Sequence, residues 1–230
     1  MFFRCITQDM AAILNSEVIG YLPKDVYLAG GTAIALYFGH RLSFDLDFFT
    51  PMNFDSLELS TTISKKLKSD FRVTKSKITA NTLVINLNET GFSLFTYEYP
   101  LLNTLITMNN IPIPVASHLD LSLMKLIAIN QRGTCKDFID MKSLIEANNY
   151  TFKWLANKFS EKYDIGREME LQFKKSLVYF DDAERDLNIH IYSENSKTFE
   201  VLGAEEWEAT KVFFERFVKK DARTTNFREL

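Results

Sequence analysis

Apolar positions recur at helical spacing from Thr7 to Ile19, where Met10, Ile13, Leu14 and Val18 mark one face, and Pro23 breaks the chain before the next element. Val26 to Ala29 predicts a short strand running into Gly30 and Gly31, after which Thr32 caps a brief helix, Ala33 to Phe38, stopped by Gly39. From Ser43 to Phe49 the period changes to strict alternation. Ser43, Asp45 and Asp47 share one face and Phe44, Leu46 and Phe48 the other, so one face enters a core and the other is acidic. Asn53 to Ser69 predicts an amphipathic helix through Leu57, Leu59, Ile63 and Leu67. Three strand-like runs follow: Phe71 to Lys77, Thr82 to Asn88 and Phe92 to Tyr99.

Pro112 and Pro114 punctuate the chain, and helical patterns dominate afterwards: Ser117 to Asn130, Thr134 to Asn148, Phe152 to Lys162, Glu168 to Tyr179 and Glu205 to Lys219. The polar stretch Asp181 to Phe199 predicts a connecting loop with at most a short strand at Ile189 to Tyr192. The expected fold is therefore α+β in two lobes, a sheet with helices over residues 1–110 and a mainly helical lobe over residues 111–230.

Composition narrows the function. At 230 residues and 46% hydrophobic content the chain can bury a full core. Lys and Arg number 27 against 30 Asp and Glu, a net charge of −3, so no global positive field points to nucleic acid. A polynucleotide would need local patches, such as Lys65, Lys66 and Lys68, or Lys75 and Lys77, which are equally ordinary solvated faces. Cys5 and Cys135 lack the paired spacing of a zinc site or disulfide framework. The first residues lack the long apolar run of a signal peptide, and no stretch reaches membrane-spanning length, so a cytoplasmic location with no membrane partner is expected.

The chemistry concentrates around Asp45 and Asp47. Carboxylates at i and i+2 on a strand project side by side and repel unless a cation or strong donors stand between them. A hard divalent ion such as Mg²⁺, or Mn²⁺, suits such a pair, although a bare Asp-x-Asp can equally be a solvated acidic edge. Gly30, Gly31 and Thr32 add an unobstructed turn and a helix N-terminus, whose free N–H groups and positive dipole end suit a phosphate, with Arg41 and Ser43 beside it. Together they make a cradle for a metal-bound triphosphate. The histidines at 40, 118 and 190 are scattered and lack ligand spacing.

A second constellation lies in DLSLMKLIAINQRGTCKDFIDM, Asp120 to Met141. Lys125 interrupts an apolar helix on a face shared with Ser122 and Arg132, and needs a partner or a ligand. After Gly133, Asp137 and Asp140 share a helical face, which makes Asp137 the natural counter-charge for Lys125. An inter-helix ion pair for packing and a functional pair both fit this pattern.

AGGTAIAL followed by GHRLSFDLDFF resembles the first motif of the DNA polymerase beta-like nucleotidyltransferases, and in detail the AbiEii/AbiGii toxin family. The resemblance covers roughly Tyr27 to Leu144. It implies a polymerase beta-like mixed sheet with helices followed by a helical lobe. Asp45 and Asp47 fall on the family's metal-binding aspartates, and Gly30, Gly31 and Thr32 on its phosphate-contacting turn. Its helical motif maps onto Lys125, Arg132, Lys136, Asp137 and Asp140, which implies catalytic roles for Lys125 and Asp137 and nucleotide contact for Arg132. The implied activity moves a nucleoside monophosphate from an NTP to an acceptor hydroxyl on RNA, such as tRNA, or on protein, in the toxin of a bacterial toxin–antitoxin or abortive-infection pair with a cognate antitoxin.

One departure stands out. Many polymerase beta-like enzymes carry a third carboxylate on a later strand. In FSLFTYEYP, Ser93, Phe95, Tyr97 and Tyr99 share one face, and the only acid, Glu98, alternates to the other. Either Glu98 joins the site, or one metal is held with Asp137 as a nearby base, or the chain is an inactive fold that binds and regulates.

Overall fold

Alternation at DLDFFT builds an interior strand of a five-stranded sheet in the computed structural model, which describes residues 2–67, 71–166 and 168–225. The first elements are α1 (Gln8–Leu14), β1 (Tyr27–Leu28), α2 (Gly30–Phe38), β2 (Asp45–Thr50), α3 (Ser56–Leu67), β3 (Val73–Thr79), β4 (Thr82–Leu87) and β5 (Thr90–Thr96). Strand order is β1-β2-β5-β4-β3, with β2 and β5 parallel and every other pair antiparallel. The predicted helix to Ile19 instead ends at Leu14, where Asn15 and Ser16 interrupt it before a 3-10 turn at Glu17–Tyr21. Lys68 and Ser69, expected in α3 and its basic patch, lie outside the described residues, as does the Lys75 side chain.

Register decides which side chains meet. Leu46 pairs with Phe92 and Phe48 with Leu94, and these in turn pair with Ile85 and Leu83. All six are buried, and the Phe48 and Phe92 rings lie 5.1 Å apart. Pleating puts the alternate positions on the opposite face, where Asp45, Asp47 and Phe49 pair with Gly91, Ser93 and Phe95. The tight β3–β4 turn carries Asn81 at φ 58° and the β4–β5 turn Asn88 at φ 55°, a left-handed conformation that Asn tolerates.

The chain divides into two compact units, Met1–Tyr99 with Asn103–Ser117, and Pro100–Leu102 with His118–Leu230. The expected boundary near Asn110 gives way to a later one because residues 103–117 bond to β1. Leu28 N–H donates to the Pro114 carbonyl (2.9 Å), Ala116 N–H to the Leu28 carbonyl (2.9 Å), and the Tyr37 hydroxyl to the Ala116 carbonyl (3.0 Å). Pro114 lacks an N–H but still accepts at a sheet edge.

The second unit holds α4 (His118–Gln131), α5 (Cys135–Asn148), α6 (Phe152–Tyr163), α7 (Met169–Ser176), β6 (His190–Ser193), β7 (Thr198–Val201) and α8 (Ala204–Thr225). Where a loop with one short strand was expected, β6 and β7 form an antiparallel hairpin, its turn closed by Lys197 at φ 58°. Buried Phe138 anchors this unit, touching the rings of Phe180 (5.2 Å), Phe214 (5.2 Å) and Trp207 (6.0 Å). Among the described residues no helix is long and apolar enough to cross a membrane.

Lys162 is the most deeply buried cation among the described residues of this unit. Its ammonium donates to Asp120 Oδ1 (2.7 Å) and to the Pro100 carbonyl (2.6 Å), and both charged side chains are fully buried. Asp120 Oδ1 also accepts the Leu102 N–H (3.0 Å), which ties residues 100–102 to α4. Removing one partner strands the other charge in a dry site. Lys162→Met is therefore expected to lower stability by about 3–5 kcal/mol. Urea unfolding of wild type and variant measures it, and an unchanged midpoint would refute the role.

Candidate active site

Asp45 and Asp47 open β2 on the face away from the buried Leu46 and Phe48, Asp45 exposed and Asp47 half-buried. Each carboxylate has a glycine beside it. At Gly30, which adopts φ 66°, an added Cβ would lie 2.5 Å from Asp47 Oδ2. At Gly91, the cross-strand partner of Asp45, an added Cβ would run into the Asp45 carboxylate. Each carboxylate as placed thus lies close against the backbone of a glycine, and at Gly30 the positive φ further disfavours a side chain.

Helix α2 begins at Gly30, earlier than expected. Its N-cap, Ala29, supplies no side-chain cap, while its N–H donates to the Asp47 carbonyl (3.0 Å). The first-turn N–H groups of Gly30, Gly31 and Thr32 have no acceptor within the helix by geometry, and this helix end lies beside Asp47. Thr32 is consequently not the cap. Its buried hydroxyl donates to the Asp45 carbonyl and is bonded to Ser43 Oγ at 2.7 Å. These bonds fasten the start of β2 to α2, so Thr32 and Ser43 set the spacing between turn and strand.

Ser43 and Phe44 depart from the predicted alternation. Ladder pairing starts only at Asp45 opposite Gly91, so Ser43 precedes the strand, with its N–H on the Cys5 carbonyl (2.8 Å), and Phe44 is 50% exposed instead of core. Arg41 is buried, its Nη1 donating to the Leu42 carbonyl (2.8 Å). Burial pushes the Cys5 thiol up to about 11 although the charges of Arg4 and Arg41 pull it down. Glu98 lies exposed beyond the end of β5, and the residues beside the two acids on β5 are Gly91 and Ser93.

In the helical unit the predicted pair exists and is larger than a pair. Lys125, 5% exposed, reaches Asp137 Oδ1 at 2.9 Å and Asp140 Oδ2 at 2.7 Å. Asp137 also accepts Arg132 Nε (2.9 Å) and Nη2 (3.0 Å), the Thr134 hydroxyl (2.6 Å) and the Thr134 N–H (3.3 Å). Burial pushes the Asp137 carboxyl up, but the charge of Lys125 and the bonds and charge of Arg132, with Thr134, outweigh it and hold the group well below the usual carboxylate range. Such a carboxylate takes a proton poorly, which counts against Asp137 as a base. Thr134 was missed, though Thr-x-x-Asp before an apolar run is a capping signature.

Of the basic patches, Lys66 lies 3.3 Å from Glu17 and over the Tyr21 ring at 5.4 Å, while Lys65 and Lys77 are exposed. The two sets of predicted residues thus belong to separate units: Gly30, Gly31, Thr32, Arg41, Ser43, Asp45 and Asp47 to the first, Lys125, Arg132 and Asp137 to the second.

Comparison with known proteins bears on this arrangement. The family model of the nucleotidyl transferase AbiEii toxin, of the Type IV toxin–antitoxin system, matches residues 13–225. An uncharacterized protein of Aquifex aeolicus (strain VF5) is 37% identical over 222 residues, which is 94% of this chain and 98% of that protein. Among solved structures, MenT4, a nucleotidyltransferase toxin from Mycobacterium tuberculosis H37Rv, is similar at TM-score 0.53 and 16% identity, covering 92% of this chain and 82% of its own. JHP933 from Helicobacter pylori is similar at TM-score 0.50 and 16% identity, covering 94% and 93%. The structural likenesses show a nucleotidyltransferase fold.

The Asp137 cluster yields a prediction with a definite sign. Its folded-state pKa is depressed, so the stability it contributes is whole above the unfolded value of about 4 and is lost as pH falls below it. Asp137→Asn is expected to cost about 3 kcal/mol at neutral pH, the lower end for breaking a buried ion pair because Asp140 still faces Lys125. Urea midpoints should show a constant gap between variant and wild type above about pH 5 and a narrowing gap below about pH 4. A gap independent of pH would mean the carboxylate charge contributes nothing.

Proposed function

Because the chain belongs to the nucleotidyl transferase AbiEii toxin family, we propose that it moves a nucleoside monophosphate from an NTP to an acceptor hydroxyl, using Asp45 and Asp47 to hold Mg²⁺ or Mn²⁺. One observation carries this reading: both acids share a strand face, and the backbone of the α2 N-terminus packs against one of them.

The residues fit such an ion. The donors are hard carboxylate oxygens, two in sequence alternation, and among the described residues no group of three or more His, Cys, Asp and Glu could hold a metal. Mg²⁺ is commonly bound by one or two carboxylates, with waters and substrate phosphates completing its shell. When bound, it neutralises charge on the phosphate oxygens and lowers the cost of charge developing there.

The protein's own contribution is positional and electrostatic. Gly30 and Gly31 present backbone N–H groups to the phosphates, and Thr32 with Ser43 keeps that turn at a fixed spacing from Asp45. The acceptor oxygen bonds the α-phosphorus as the bond to the bridging α–β oxygen breaks; pyrophosphate leaves with the electron pair, and the hydroxyl proton passes to water. Asp137, Lys125 and Arg132 tie α4 to α5 through their ion pairs. The acceptor is RNA, such as tRNA, or a protein hydroxyl, and the biological role is that of a toxin in the cytoplasm, opposed by a cognate antitoxin.

A second reading rests on Gly91 and Ser93, which leave the flanking β5 positions without a third acid. It makes the chain a nucleotide-binding regulatory module. Transfer of labelled nucleotide from each NTP to RNA and to protein decides between them. Wild type is expected to label one acceptor class and Asp45→Asn or Asp47→Asn to lose at least about a hundredfold in rate with folding intact. Nucleotide binding with no transfer would establish the module instead, and equal labelling by variant and wild type would refute the assignment of the acids.

A further inference from the structure

The aspartate face of the sheet continues into an aromatic one. Phe49 follows Asp47 by two residues on β2, about 7 Å further along the same face, and pairs with Phe95. The Phe49 ring lies 5.6 Å from Phe95, 5.7 Å from Tyr97 and 6.0 Å from Tyr27, with which it is stacked; Tyr97 lies 5.3 Å from Tyr99. The Tyr97 N–H donates to the Thr50 carbonyl (2.8 Å), which carries the β5 backbone past its last ladder pair and keeps the row in line. Exposure rises along it: Tyr27 is buried, Phe49, Phe95 and Tyr97 are half-buried, and Tyr99 is 49% exposed.

A core needs no such gradient. The opposite face already buries the sheet's apolar side through Leu46, Phe48, Leu83, Ile85, Phe92 and Leu94, whereas the aromatic row borders the two acids. A ligand held by its phosphates at Asp45, Asp47 and the α2 N-terminus extends its uncharged end away from the acids, and on this face the next surface is the aromatic row.

We infer that Phe49, Phe95, Tyr97 and Tyr99 form a stacking platform for the nucleobase of the nucleotide whose phosphates lie at the aspartates. Phe49 and Phe95, braced by Tyr27, form its base, and Tyr97 and Tyr99 present the accessible rings. Aromatic rings accept any base face, because every base has a π-surface. The platform rests on the reading of Asp45 and Asp47 as the phosphate-end site and goes beyond it by assigning the base end.

The test separates the two ends of the ligand. Binding of Mg²⁺-NTP and of Mg²⁺-tripolyphosphate, which has no base, is measured by calorimetry on the full chain for wild type, Tyr99→Ala, Tyr97→Ala and Tyr99→Phe. The alanine variants are expected to lose about tenfold in NTP affinity, in the range of a lost base–aromatic stack, and to keep tripolyphosphate affinity. Tyr99→Phe is expected to retain both. Unchanged NTP affinity in both alanine variants overturns the platform while leaving the phosphate site standing. Failure of wild type to bind either ligand overturns both. Equal losses for NTP and tripolyphosphate would show a disturbed sheet and also overturn the platform, with circular dichroism reporting the fold.

Discussion

Two like charges placed two residues apart on one strand face are the constraint around which the first unit is organised. Asp45 and Asp47 repel, and the chain sets a glycine beside each of them. Gly91 leaves room for one carboxylate and Gly30 for the other, and Gly30 takes a positive φ that places the α2 N-terminus against Asp47. The hydroxyl chain from Ser43 through Thr32 to the Asp45 carbonyl then fixes the distance between helix and strand.

The helical unit handles charge in the opposite way. Lys125, Arg132, Asp137 and Asp140 balance two positive against two negative groups, and Asp120 with Lys162 balances one against one. Desolvation is compensated inside the protein through many short hydrogen bonds. Exposed Asp45 and half-buried Asp47 of the first unit contrast with Asp120, Asp137 and Asp140 of the second, which are fully buried against lysine.

Much of this was legible along the chain because period and burial agree. The alternation read from Ser43 to Phe49 became β2 from Asp45 onward, the five helices after Pro114 are present, and Asp137 does meet Lys125. What escaped depended on partners remote in sequence. Thr32 looked like a cap, but its acceptor is thirteen residues away at Asp45. Gly91 carried no signal of its own, since its importance arises only from pairing with Asp45. Strand β7 is short and largely exposed, so its alternation was hidden among polar residues. Residues 103–117 read as a junction because two prolines punctuate them, yet their carbonyls and amides complete the edge beyond β1.

The parallel pairing of β2 with β5 also governs when the acid pair acquires its surroundings. Between these neighbours the chain must first complete α3, β3 and β4, so Asp45 has no Gly91 beside it until residues some forty-six positions downstream have been made and folded. Closing so long an excursion costs chain entropy before any contact rewards it, which makes this ladder a slow, late event compared with the local β3–β4 hairpin. A ribosome-bound chain therefore emerges with its acidic strand able to pair with β1 but still lacking β5, and the surroundings of Asp45 are completed only near the end of the sheet's assembly.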